Sequence, residues 1–257
     1  MNADAGGSET VDGFLGNRIR LIQPSAGHRA GLDAALLQAL VPADAAGHLV
    51  DLGTGTGAVA MAAASRVPAL TATGVDFDAT MLDMAKRALA LPENQALSGR
   101  VQWVLADICA ARPAREADGL ADDRADWVTM NPPFDVSANV RTSPTRLKRQ
   151  AHAGDEHTLT DWIRTASGLL KPAGRLAIIH RADALDAVLA ELRGRFGKVT
   201  IRPVHPRQGE PATRVLVTAV AGSKAPLSIL HGLVLHEADG SWSDEAASLL
   251  DGETCLD

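Results

Sequence analysis

Cysteine is scarce. Cys109 and Cys255 are the two in the 257-residue chain, too few for a disulfide framework or a cysteine-built zinc site. The histidines fall at no metal-ligand spacing either, so no metal is expected. Long apolar runs are lacking: none approaches the roughly 18 residues that cross a bilayer, so no membrane partner is expected. The opening MNADAGGSETVDG is polar and acidic, unlike a signal or transit peptide, and residues 1–13 are expected to be a disordered lead-in. The scarcity of cysteine favours the cytoplasm. An excess of positive charge is missing as well. A formal net charge of −6 excludes indiscriminate nucleic-acid binding across the surface, while a local basic patch stays open.

What is present is a rhythm. Hydrophobic residues at 46% and charged ones at 22% fit a globular chain with a sizeable core. FLGNRIRLIQ (14–23) alternates apolar and basic residues around Gly-Asn, a hairpin signal. RAGLDAALLQALV (29–41) carries leucines at helical spacing. Strands are expected at 48–52, 70–76, 101–106, 126–130, 175–180, 198–203 and 214–220. Helices are expected at about 57–66, 79–91, 159–170 and 183–196, with a polar linker at 110–125. Alternation of this kind predicts an α/β fold: a doubly wound, mostly parallel, Rossmann-like sheet. The last two strands have no helix between them and should form a terminal antiparallel hairpin. One domain over 14–257 is expected, with hairpin and helix at 14–47, core at 48–221 and an extension at 222–257.

The run Val50-Asp51-Leu52-Gly53-Thr54-Gly55-Thr56-Gly57 follows the first core strand and opens a helix. Glycines there let the backbone turn sharply and approach a ligand; purely structural strand-to-helix turns use them too. The spacing is G-x-G-x-G, not the G-x-G-x-x-G of dinucleotide binding. Asp76 ends the next strand, where a carboxylate can grip both hydroxyls of a ribose. Asp107 ends the third, placed to accept from an adenine amino group. The bland alternative makes both aspartates helix caps.

Asn131-Pro132-Pro133-Phe134 ends the fourth strand. A residue before proline is driven into extended conformations, and here two successive residues are so held. The Asn131 side-chain oxygen and the Pro132 carbonyl can then face one way, two acceptors suited to an NH2 group conjugated to a ring. Phe134 offers a face on which that ring can stack, worth about 1–3 kcal/mol for a base. Hydrogen bonds to both protons would localise the nitrogen lone pair, and no strong general base is required. A rigid turn with no ligand is the other reading of the four residues.

These motifs resemble the class I S-adenosylmethionine-dependent methyltransferases over residues 29–220, and among them the N-methyltransferases of planar amino groups. The resemblance implies S-adenosyl-L-methionine as cofactor, held by Asp51, Gly53, Thr54, Gly55, Gly57, Asp76, Phe77, Asp107 and Ile108. His28-Arg29-Ala30-Gly31-Leu32-Asp33-Ala34-Ala35-Leu36-Leu37 is similar to the Lys-x-Gly-Thr-Asp-x-x-Leu-Leu stretch of bacterial valine-tRNA adenine-N6 methyltransferases. That likeness implies that Arg29, Gly31 and Asp33 line the cofactor's methionine end. Arg29 keeps the lysine's charge, whereas Leu32 loses the threonine's hydroxyl. The family methylates the adenine just 3′ of the anticodon, so RNA, and tRNA in particular, is the expected partner. Arg141, Arg146, Lys148 and Arg149 lie in VSANVRTSPTRLKRQAH, a stretch with no acid that directly follows the base pocket and can hold backbone phosphates. Two other readings stand beside this one: a protein-glutamine N5-methyltransferase, and a non-catalytic nucleic-acid- or cofactor-binding protein of the same fold.

Overall fold

The computed structural model describes residues 8–27, 29–133 and 158–256. Two strands, β1 (Glu9–Phe14) and β2 (Ile19–Pro24), form an antiparallel hairpin, and α1 (Leu32–Ala39) follows. The core then alternates: β3 (Gly47–Leu52), α2 (Ala58–Arg66), β4 (Leu70–Asp76), α3 (Ala79–Leu89), β5 (Val101–Leu105), α4 (Arg112–Ala117) and β6 (Ala125–Met130). After it come α5 (Thr158–Leu169), β7 (Leu170–Arg181), α6 (Leu185–Leu192), β8 (Phe196–Arg207) and β9 (Arg214–Ala221). The short strands β10 (Ser228–Ile229) and β11 (Leu233–His236) and the helix α7 (Asp244–Leu250) complete the described chain.

Nine strands form one sheet in the order β10-β8-β9-β7-β6-β3-β4-β5, with β11 also on β8. The pairs from β7 through β6, β3 and β4 to β5 are parallel, while β9 is antiparallel to both β7 and β8. Strands buried on both faces read as apolar runs, which is why DWVTM and HLVDL carry so little alternation. Val50, Val75, Val128 and Ile178 pack under α5 and α6 on one face. On the other, Leu49, Leu70 and Ala72 meet α2 and the hairpin. The alanine-rich α2 lies close on the strands because all seven residues from Ala58 to Ala64 are buried and five of them are alanine. A third cluster joins Leu36 and Leu37 of α1 to Leu216, Leu233 and Leu249.

Several boundaries differ from the expectation. Residues 9–13 are not a disordered lead-in, because β1 pairs with β2 along its whole length. The hairpin is tied down by Glu9, whose carboxylate accepts two hydrogen bonds of 2.8 Å from Arg87 of α3. The polar linker at 110–125 contains α4, whose Arg115 is buried and donates to the Ala110 carbonyl. Both β7 and β8 run for 12 residues, twice the expected length: β7 starts early at Leu170, which pairs with Ala125 of β6 ahead of a register shift, and β8 gains Phe196, Gly197 and Val204 against β9 and His205 and Arg207 against β11. The β8–β9 hairpin is present but does not end the sheet, since β10 and β11 pair with the outer edge of β8.

Candidate active site

The order of the sheet reverses at β3. The next strand in sequence, β4, lies on one side and β6 on the other, which opens a crevice at their carboxyl ends. Register aligns the ends: Asp51 stands opposite Gly74 on β4 and Thr129 on β6, and Asp76 opposite Leu105 on β5.

Between β3 and α2 the chain turns with Gly53 at φ +69° and Gly57 at φ +85°, the left-handed region that favours glycine. Space enforces the same choice. A Cβ on Gly53 would collide with the ring of Trp162 from α5, and one on Gly57 with the ring of Trp103 from β5. Gly55 differs, since none of the described residues lies within 4 Å of a Cβ built there. Its N–H donates to Asp76 Oδ2 at 2.8 Å, and the Asp78 N–H donates to Asp76 Oδ1 at 2.9 Å. Asp76 therefore joins the glycine turn to the end of β4 and the start of α3, which is capped by Asp78. Phe77, the next residue, keeps 49% of its surface exposed beside this open space.

Asp51 sits beneath the turn with 2% of its surface exposed. Its carboxylate accepts from Thr54 Oγ1 at 2.6 Å and from Thr129 Oγ1 at 2.8 Å. Burial pushes its carboxyl up from 3.8 to about 7, against the two hydroxyl donors that favour the ion. Asp51 is a brace linking the turn to β6 rather than an exposed contact. Asp107 is exposed and accepts from the Cys109 N–H at 2.9 Å. Ile108 is buried, its carbonyl taken by Thr165 of α5 at 2.8 Å.

At the end of β6, Asn131 Oδ1 is buried and has no hydrogen-bond partner among the described residues. Pro132 behind it is buried, Pro133 is exposed, and their peptide bonds are trans. An orphaned buried acceptor is costly unless something donates to it, so its place at the crevice is informative. Phe134, Arg141, Arg146, Lys148 and Arg149 lie outside the described residues.

The segment before α1 is held by the hairpin. Arg29 pairs with Asp12 at 2.7 Å and donates to the Pro24 carbonyl. Gln23 donates to the same Asp12 carboxylate and accepts from the Ala30 N–H. Gly31 has open space around it, whereas Asp33 pairs with Arg214 of β9 at 3.4 Å. The structure thus brings Asp51, Gly53, Thr54, Gly55, Gly57 and Asp76 into one crevice with Asn131. The guanidinium of Arg29 and the carboxylate of Asp33 instead have partners of their own in β1 and β9. Thr129, Trp103 and Trp162 were not singled out from the sequence. A threonine inside an otherwise apolar strand, two residues before Asn131, was the available signal for the first.

Comparison with known proteins agrees with this geometry. The family description "Methyltransferase small domain" matches residues 29–203. A tRNA1(Val) (adenine(37)-N6)-methyltransferase of Porphyromonas gingivalis is 30% identical over 251 residues, covering 93% of both chains. The chain belongs to the methyltransferase small domain family. A crystal structure described as a predicted O-methyltransferase, protein Atu636, from Agrobacterium tumefaciens superposes with a TM-score of 0.75 at 35% identity. It covers 87% of this chain and 98% of that one. A release factor glutamine methyltransferase of Bordetella pertussis is 31% identical over 170 residues, 64% of this chain and 57% of that one.

The protein is an S-adenosylmethionine-dependent methyltransferase. When bound, that cofactor supplies an electrophilic methyl group on a sulfonium. The crevice suits it: empty space over Gly55, a carboxylate at the end of β4 and an uncovered aromatic face at Phe77.

Proposed function

We propose that this methyltransferase acts in the cytoplasm on N6 of an adenine in RNA, with a tRNA anticodon loop as substrate. The observation that carries the reading is the buried Oδ1 of Asn131, unpartnered among the described residues, at the end of the strand whose Thr129 braces the cofactor turn. An exocyclic NH2 would satisfy it with one proton and the Pro132 carbonyl with the other. Both bonds pull the nitrogen lone pair out of the ring and aim it, which raises its nucleophilicity without a general base. The extended backbone enforced by consecutive prolines leaves little entropy to lose on binding.

In this reading Asp76 binds the ribose hydroxyls, the Phe77 face takes the adenine of the cofactor, and Asp107 or its neighbours accept from the adenine amino group. Gly53, Gly55 and Gly57 let the turn approach, with Thr54 and Asp51 fixing it from below and Ile108 shaping the adenine side. Arg29, Gly31 and Asp33 border the methionine end, where Gly31 leaves space and the two charged residues fix the segment. Phe134 stacks on the flipped base, while Arg141, Arg146, Lys148 and Arg149 hold backbone phosphates. Coverage of 93% of both chains in the tRNA-methylating relative supports RNA over protein.

Glutamine N5-methylation is the second reading, favoured by the Bordetella relative, because an amide NH2 would fit the same two acceptors. Labelled S-adenosylmethionine incubated with total tRNA or with a release factor, followed by nucleoside and peptide mass spectrometry, decides between them. N6-methyladenosine in tRNA is expected. Label confined to protein, or to ribose oxygen, would overturn the adenine assignment.

A further inference from the structure

A second cleft, of about 460 Å³, lies away from the strand ends that form the crevice. It is bounded by β7, β8, β9, the α1–β3 connection and Leu256. Leu40, Leu216 and Leu230 give it an apolar floor, and Thr200 and Thr218, directly paired across β8 and β9, give it hydroxyls. Its charges are lopsided: Arg175, Lys198 and Arg202 against a single acid, Asp44, in a chain whose net charge is −6. Glu245 stands 3.6 Å from Arg202 and meets part of that excess. Arg175 instead lies 5.3 Å above the Trp127 ring, and neither it nor Lys198 has a carboxylate partner among the described residues.

Lys198 is also held at φ +49°, a conformation that L side chains rarely adopt. It sits where the register between β8 and β9 shifts, between Gly197 and Thr200. A bulge of this kind re-aims a side chain, here into the cleft wall, and such strain clusters at ligand sites. Arg175 on β7 and Lys198 on β8 flank β9, so their backbones stand roughly 10 Å apart, two strand spacings. That span brackets a phosphate or diphosphate, reached by long cationic side chains and supported by the paired threonines.

We propose that this cleft is a second ligand site, binding a phosphate group between Arg175 and Lys198 with the apolar floor beneath whatever carries it. The phosphate can come from a free nucleotide or from an RNA backbone. Calorimetric titration of the full chain with pyrophosphate, ATP and oligouridine tests this, since none of the three offers a methylatable adenine within RNA. Arg175→Gln/Lys198→Gln and the single Lys198→Gln variant, each checked for an unchanged melting temperature and unchanged S-adenosylmethionine binding, serve as controls. Binding should weaken about tenfold in Lys198→Gln and further in the double variant. Pyrophosphate or ATP binding lost in this way identifies a free phosphate; binding by oligouridine alone identifies an RNA backbone. No binding by any probe, or equal binding by wild type and variants, overturns the proposal. Neither result depends on which substrate the crevice methylates.

Discussion

Asp51 and Asn131 illustrate how a single buried polar group can be answered in opposite ways. The Asp51 carboxylate accepts from two hydroxyls, yet burial outweighs them and holds its pKa at about 7, well above 3.8. A raised folded-state value means the folded chain binds the proton more tightly than the unfolded one. The associated stability is complete below pH 3.8 and is lost as pH rises through about 7. Asp51→Asn removes that titration. Its denaturant midpoint relative to wild type should therefore climb across this window and level off above it. A flat difference would show that Asp51 is ionised throughout. Asn131, with an acceptor left open, should behave differently. Asn131→Ala is expected to lower turnover roughly a hundredfold or more while cofactor affinity stays near wild type. Loss of cofactor binding in calorimetry would remove Asn131 from the amine site.

At the scale of elements, the turn into α2 is shaped by an aromatic ring from a strand two places away. Gly57 needs its left-handed φ, which costs a residue with a Cβ about 1–2 kcal/mol. It also needs clearance from Trp103, where overpacking costs about 1–3 kcal/mol more. Gly57→Ala should lose both, and adding Trp103→Leu should restore only the packing part, which a double-mutant cycle in denaturant reads directly. The hairpin follows similar logic. Asp12 collects Thr10, Gln23 and Arg29, so one carboxylate on β1 gathers several of the ties on the segment entering α1. Asp12→Ala should weaken S-adenosylmethionine binding, measured by calorimetric titration against wild type.

Over the whole molecule, the segment after β9 is part of the core. Leu233, Leu235 and Leu249 bury against Leu36, Leu37 and Leu216, and the Leu256 N–H donates to the Ala39 carbonyl at the end of α1. Leu249→Ala, remote from the crevice, should cost about 2–5 kcal/mol in calorimetry and leave kcat unchanged at a temperature where the variant is folded. Had this segment been a loose appendage, the melting temperature would not move.

Local chemistry made much of this legible in the sequence. Glycines at a strand end, aspartates closing successive strands and consecutive prolines after an asparagine each act through their immediate neighbours, so spacing alone announced the α/β alternation and the crevice. The same locality explains why β4 matched its expected span of Leu70–Asp76. What the sequence could not decide depends on partners distant along the chain. The extra length of β7 came from β6 and that of β8 from β9 and β11, and the order in β1 came from β2 and Arg87. The brace from Thr129 to Asp51 and the rings over Gly53 and Gly57 likewise join residues far apart in sequence. Sequence determined which groups the protein has and where each strand delivers them. Only the tertiary structure decided which were satisfied and which, like Asn131 Oδ1, were left without a partner among the described residues, because burial and pairing are properties of the packed chain.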